Sequence, residues 1–223
     1  MKNANKESGA LISGISRHRL ATDGEGVTTL VGFHGCPLCC GYCLNPHTLK
    51  DPSKCRVYTP LDLYAEARLD EIYFLATNGG ITFGGGEPAL HHDFIADFRE
   101  LCGTDWRITL ETSLNVPVEA IESLSNIVDE FIIDIKDMNP ETYRRYTGRS
   151  NERVLQNLGL LAARGRAGDC LIRIPLIPGF NSENDRKNSI DELKSIGFSR
   201  FDLFTYITRI NPLWHEENTP AKS

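Results

Sequence analysis

The chain has 223 residues, of which 40% are apolar and 24% charged, and carries a net charge of −6 at neutral pH. That length buries a sizeable core without covalent staples. An acidic balance with no basic stripe argues against nucleic acid as a main partner. No run approaches the roughly 18–20 apolar residues of a membrane-crossing helix.

The N-terminal MKNANKESGA is polar and lacks an apolar signal core, so residues 1–14 are expected to be a flexible, frayed start. Seven cysteines without a secretory signal predict a reducing compartment, the cytoplasm. Residues 15–223 are expected to form a single domain. Its last stretch, from about residue 209 and containing Pro212 and Trp214, is expected to be a covering tail.

From Gly26 the β-branched run VTTLVGF predicts a first strand. It leads directly into GCPLCCGYCLNP, residues 35–46, which holds four of the seven cysteines. Next, Thr59-Pro60 opens a helix over LDLYAEARLDEIYFLA: Thr59 caps it, Pro60 suits the first turn and Asp62 favours the positive helix end. Gly79-Gly80 stops that helix, and ITF starts a second strand ending at Gly84-Gly85-Gly86-Glu87-Pro88. Phe94, Phe98 and Leu101 give residues 90–102 a helical period. RITLET, from Arg107, reads as a third strand, residues 117–124 as a short helix, and EFIIDIKD, from Glu130, as a fourth strand. Helices follow over 140–146 and 154–163. CLIRIPLI, from Cys170, is the fifth strand, stopped by Pro178-Gly179. A helix over 184–195 and the sixth strand FDLFTY, from Phe201, complete the pattern.

Six alternations of strand and helix predict an α/β fold with parallel strands and right-handed crossovers. The polar loops carrying Cys, Glu and Lys all follow strand C-terminal ends, where the sites of such folds sit. Six units are too few to close an eight-stranded barrel, so an open, three-quarter (β/α)6 barrel is expected. There is no internal repeat.

Cys36, Cys40 and Cys43 are spaced C-x3-C-x2-C, with Tyr42 before the last. Three thiolates on one loop can hold three irons of a 4Fe–4S cubane, leaving the fourth open for chemistry. A non-catalytic zinc-binding module is the alternative, with His34 or His47 completing a tetrahedral set. Cys39 creates a second register, in which Cys36, Cys39 and Cys43 have the reverse spacing. It is read as a bystander, because only the first register puts Gly41-Tyr42 between the last two ligands. Cys55, Cys102 and Cys170 are scattered and are read as buried apolar filler.

The cysteine spacing, the aromatic and the preceding apolar strand resemble the radical S-adenosylmethionine (radical SAM) superfamily. The Gly84-Gly85-Gly86-Glu87 step resembles that superfamily's motif for the ammonium of S-adenosylmethionine. Glu111-Thr112-Ser113 and Asp134-Ile135-Lys136, within DIKDMNPETYRRYTG, and the later RIPLIPGFN resemble a narrower group, the glycyl-radical-enzyme activases such as pyruvate formate-lyase activating enzyme. The resemblance covers roughly residues 15–207 and implies one 4Fe–4S cluster on Cys36, Cys40 and Cys43. It implies S-adenosylmethionine contacts from Tyr42, Leu44, Gly85, Gly86, Glu87, Glu111, Asp134, Lys136 and Arg173. Glu111 and Asp134 would flank the sulfonium side and hold a monovalent cation, while Arg173 would pair with the ligand carboxylate.

By the same resemblance, reductive cleavage of S-adenosylmethionine yields a 5′-deoxyadenosyl radical. That radical takes hydrogen from a glycine of a partner glycyl-radical enzyme, under anaerobic conditions and with a flavodoxin or ferredoxin-type electron donor. The sequence departs from the activases at three places. Asp23-Gly24-Glu25-Gly26 carries Glu25 where their entry turn has Pro. Thr28 stands where they have Arg, and Ile207 falls at the place of a His, with His215 as a possible substitute. The missing Arg and His favour the rival expectation, a radical SAM enzyme acting on a small molecule or peptide.

Overall fold

The computed structural model describes residues 9–20, 22–49 and 51–208. Among these, eight strands form one sheet: β1 (Ala10–Leu20), β2 (Val27–Phe33), β3 (Arg56–Tyr58), β4 (Gly80–Gly85), β5 (Arg107–Thr112), β6 (Glu130–Asp134), β7 (Cys170–Leu176) and β8 (Arg200–Thr205). Their order is β3-β1-β2-β4-β5-β6-β7-β8, and the sheet is not closed. β2, β4, β5, β6, β7 and β8 pair in parallel and are the six predicted strands.

β1 and β3 are additions that the sequence pattern does not announce; both pair antiparallel beside β2. β1 begins at Ala10, so residues 10–14 lie in a strand, inside the segment expected to be frayed. Its polar, basic second half and two register irregularities against β2 explain why no clean alternation marks it. Residues 1–8 and the expected tail from 209, His215 included, lie outside the described residues.

Alternation along the parallel strands gives the sheet two different faces. Val31, Phe33, Ile81, Phe83, Ile108, Leu110, Phe131, Ile133, Ile172 and Ile174 are fully or almost fully buried and belong to one apolar core. The helices follow in chain order: α1 (Pro60–Ala67), α2 (Glu71–Thr77), α3 (His92–Cys102), α4 (Val118–Leu124), α5 (Pro140–Thr147), α6 (Glu152–Ala163) and α7 (Glu183–Ile196). Leu63, Phe74, Ile95, Phe98, Ile121, Leu158 and Leu193 from these helices complete that core. The other strand positions carry polar groups, among them Thr82, Thr109, Glu111, Asp134 and Arg173.

Thr59 caps α1 in a reciprocal box with Asp62, as the sequence implies. The single helix expected to run on toward residue 76 is broken by a 3-10 turn at Arg68–Asp70. Asp70 is the cause: its fully buried carboxylate accepts hydrogen bonds from Arg17, His18 and Thr29, which pulls the turn against β1 and β2.

Candidate active site at the strand C-terminal ends

The cysteine loop leaves β2 at Phe33 and is tied down by backbone bonds as well as by the packing of Leu38, Cys40 and Tyr42. Gly35 N–H donates to the Thr48 carbonyl at 2.9 Å, closing the loop on itself. Cys39 and Gly41 N–H donate to the Thr147 and Tyr146 carbonyls at 3.0 and 3.1 Å, which fixes the loop to the end of α5. The glycine-rich turn after β4 is joined to it by two more bonds. Gly86 N–H donates to Phe33 and Glu87 N–H to Gly35, at 2.9 and 2.8 Å. Only glycine allows this approach. Gly85 has φ +93°, and a Cβ there would lie 2.6 Å from the Gly32 Cα.

Cys36, Cys40 and Cys43 line one cavity of about 200 Å³, together with Leu44, Gly85 and Gly86. Glu111, Asp134, Lys136 and Arg173 form its charged wall. Cys39 is not in the lining, and none of the seven cysteines is in a disulfide. A second cavity of about 590 Å³ adjoins the first, sharing Leu44, Asp134, Arg173 and Tyr206 and reaching Asp202 and Phe204 on the open side.

Strand register builds the charged wall. Arg173 on β7 is the Cα partner of Asp134 on β6 and of Asp202 on β8. Its guanidinium donates to Glu111 Oε1 at 2.8 Å and to the Thr22 carbonyl at 2.7 Å, and lies 3.7 Å from Asp202. Lys136 is buried and donates to Tyr206 Oη at 2.7 Å and Asp134 Oδ2 at 3.2 Å. Asp134 Oδ1 is buried and has no hydrogen-bond partner.

Burial pushes all three cavity thiols up, Cys40 to about 12 despite the opposing charge of Lys136. Such thiols keep their protons until a cationic centre displaces them. Burial alone would lower Lys136, but Asp134, Tyr206 and Cys40 outweigh it and hold the ammonium well above its ordinary range. Burial also raises the Glu111 carboxyl, against the pull of Arg173.

Two expected ligand contacts fall outside the cavity. Glu87 is 1% exposed and does not line it. Its carboxylate accepts from Thr112 Oγ1 at 2.7 Å, Ser113 N and Oγ at 2.9 and 2.6 Å, and Ala89 N at 3.2 Å. Four donors from the chain itself occupy it, while Gly85 and Gly86 line the cavity. Tyr42 points into a small aromatic cluster with Tyr146 and Phe180 and donates to the Pro178 carbonyl at 3.1 Å. Thr112, Ser113 and Tyr206 also line the cavity, although the resemblance names none of them as a ligand contact. The FTY ending of the last strand was the available signal for Tyr206. Ile207, at the expected place of a His, is 68% exposed. The Thr28 hydroxyl is buried without a partner.

These groups fit a 4Fe–4S cluster beside a zwitterionic ligand. Three thiols face a buried cation, a guanidinium and two carboxylates, one of which keeps an unpartnered oxygen. A zinc module fits less well: neither His34 nor His47 lines the cavity.

Comparison with known proteins agrees with this geometry. Residues 30–193 match the Radical SAM superfamily. The chain is 28% identical to the pyruvate formate-lyase 2-activating enzyme of Escherichia coli strain K12, over 96% of this chain and 85% of that one. It is 32% identical to the pyruvate formate-lyase-activating enzyme of Streptococcus mutans, over 90% of this chain and 79% of that one. Among solved structures, Streptococcus suis SuiB bound to S-adenosylmethionine shares the fold with a TM-score of 0.61 at 16% identity, over 86% of this chain and 44% of that one. The chain belongs to the radical SAM superfamily, within the group that holds the activating enzymes.

Proposed function

We propose that this protein is the activating enzyme of a glycyl-radical enzyme, taking a hydrogen atom from a glycine of that partner. The observation that carries the reading is the convergence of Cys36, Cys40 and Cys43 with Glu111, Asp134, Lys136 and Arg173 on one cavity. Its likeness along most of its length to activating enzymes of pyruvate formate-lyase supports the choice of target. When bound at the three thiolates, a 4Fe–4S cluster supplies the electron and the open iron for reductive cleavage of the S–C5′ bond of S-adenosylmethionine.

The chain's own residues then orient and balance charge. Gly85 and Gly86 present backbone to the ligand's amino end. The free oxygen of Asp134 receives a cationic group, the sulfonium side or a monovalent cation, with Glu111 beside it. Lys136 offsets the negative charge of the thiolates from below, and Tyr206 holds its ammonium in place. Arg173 is held by Glu111 and Asp202; to meet the ligand carboxylate it exchanges one of these contacts. Leu44, 55% exposed and lining both cavities, covers the adenosine side. Glu87 and Tyr42 act one layer behind, holding the turn and the loop. The partner's glycine loop enters through the wider cavity at the open edge, in the reducing cytoplasm.

The test is anaerobic reconstitution with dithionite and S-adenosylmethionine. Production of 5′-deoxyadenosine, with deuterium transferred from a Cα-deuterated glycine-loop peptide, is the expected result. Turnover without deuterium transfer from any such peptide or partner would move the target to a small molecule. A loaded protein that never releases 5′-deoxyadenosine refutes the reaction.

A further inference from the structure

Arginines divide into two sets by their partners. Ten arginines spread through the described residues each lie within ion-pair distance of a carboxylate. Five exposed arginines do not: Arg56, which lies over the Tyr58 ring, and Arg144, Arg145, Arg149 and Arg153, which share one stretch of α5, its following loop and α6. Arg145 donates to the Phe180 carbonyl and Arg149 to the Pro37 carbonyl at 3.0 Å. Glu141 and Glu152 share the stretch without an ion pair to these guanidinium groups, and the charge of Arg145 helps hold the Asp185 carboxyl below its ordinary range.

This stretch is bonded to the cysteine loop. The end of α5 accepts the N–H groups of Cys39 and Gly41, and Arg149 grips Pro37, next to Cys36. Arg149 and Arg153 line a cavity of about 330 Å³ with Pro37, Asn115, Ser150 and Glu152, and it shares no residue with the thiol cavity. A protein of net charge −6 repels an acidic partner over most of its surface. Four guanidinium groups outnumber the two glutamates of this stretch, so its local charge is opposite in sign to the net charge and favours approach of an acidic partner from this side.

We propose that this arginine face docks a small, carboxylate-rich redox protein, of flavodoxin or ferredoxin chemistry, that delivers the electron. The inference rests on the activating-enzyme reading, since only a cluster on Cys36, Cys40 and Cys43 needs such a donor. One electron leaves the reduced donor and enters the cluster through the loop; no bond forms and no proton moves. The thiol cavity shares no residue with this face, so it stays free for the ligand and the glycine loop.

The test compares wild type with an Arg144→Glu/Arg153→Glu double variant, whose side chains hold nothing in the fold. Binding of an oxidised acidic flavodoxin, by calorimetry at about 50 mM salt, should weaken about tenfold or more, and the difference should shrink near about 500 mM. Flavodoxin-driven cleavage of S-adenosylmethionine should fall in step, while dithionite-driven cleavage and iron content stay at wild-type levels. A basic redox protein of similar size should not bind the wild type. Equal flavodoxin binding by both proteins overturns the proposal. So does a variant that still accepts electrons from flavodoxin but no longer abstracts hydrogen from a glycine-loop partner, because the face would then belong to that partner. Failure of the underlying reading is seen separately, as no 5′-deoxyadenosine from wild type under dithionite, and the binding measurement reads the face in either case.

Discussion

The Glu87 turn and the Asp134 wall stand on the same rim of the sheet and treat their carboxylates in opposite ways. Glu87 is buried and accepts four hydrogen bonds from the chain itself. Asp134 is partly open, shares one oxygen with Lys136 and leaves the other buried and unpartnered. A carboxylate saturated by its own protein is a structural fastener; one with an unmet lone pair is set for something that arrives later. Both acids follow strand ends in sequence, so position alone cannot separate these two kinds of use.

The sharpest test of the cavity as a whole is removal of its thiols. Cys36→Ala, Cys40→Ala or Cys43→Ala should each abolish cluster assembly, read as iron and sulfide content after anaerobic reconstitution. Cys39→Ala should retain it, since Cys39 does not line the cavity. Cluster loss from Cys39→Ala with retention in Cys40→Ala would exchange the register.

Next in size are the open carboxylate and its neighbour. Asp134→Asn should leave chemical-denaturation stability close to wild type but weaken S-adenosylmethionine binding by about tenfold to a hundredfold, the loss of one charge-assisted bond of about 1.5–3 kcal/mol. Lys136→Met should also weaken the ligand while retaining the cluster. Full affinity in both variants would remove the wall from the binding site.

The closed carboxylate should behave the other way. Glu87→Gln should lower stability by about 1–3 kcal/mol, because an amide offers one acceptor oxygen where two are used and its NH2 faces donors. The affinity of the folded fraction for S-adenosylmethionine should change little. Normal stability with weak ligand binding would put Glu87 back among the ligand contacts and erase the contrast drawn above.

The smallest effect concerns a second closed carboxylate, Asp70, bonded by Arg17, His18 and Thr29 near the start of β2. Burial pushes its carboxyl up, but the hydrogen bonds of Arg17 and Thr29 and the charges of Arg17 and His18 outweigh that and hold it below the usual range. A folded value below the unfolded one gives stability that is complete above about pH 4 and lost as pH falls through the folded value. Asp70→Asn should therefore flatten the acid limb of a Tm-against-pH curve below about pH 4. An unchanged limb would show that other carboxylates set the acid transition.

The sequence by itself determined the six parallel strands, the placement of the loops at their C-terminal ends and the three cavity thiols. Each of these rests on short-range information: residue alternation, glycine and proline stops, and a spacing that fits within one loop. Tertiary structure decided the rest. Whether Glu87 faces a ligand or a fastener depends on Thr112 and Ser113, 25 and 26 residues away, and the anchoring of Lys136 depends on Tyr206, 70 residues away. The helix break at Asp70 answers to Arg17, 53 residues earlier, and β1 is held by pairing rather than by its own pattern. Partners at such distances meet only when the sheet is assembled, and a polar side chain's role is fixed by which donors reach it first.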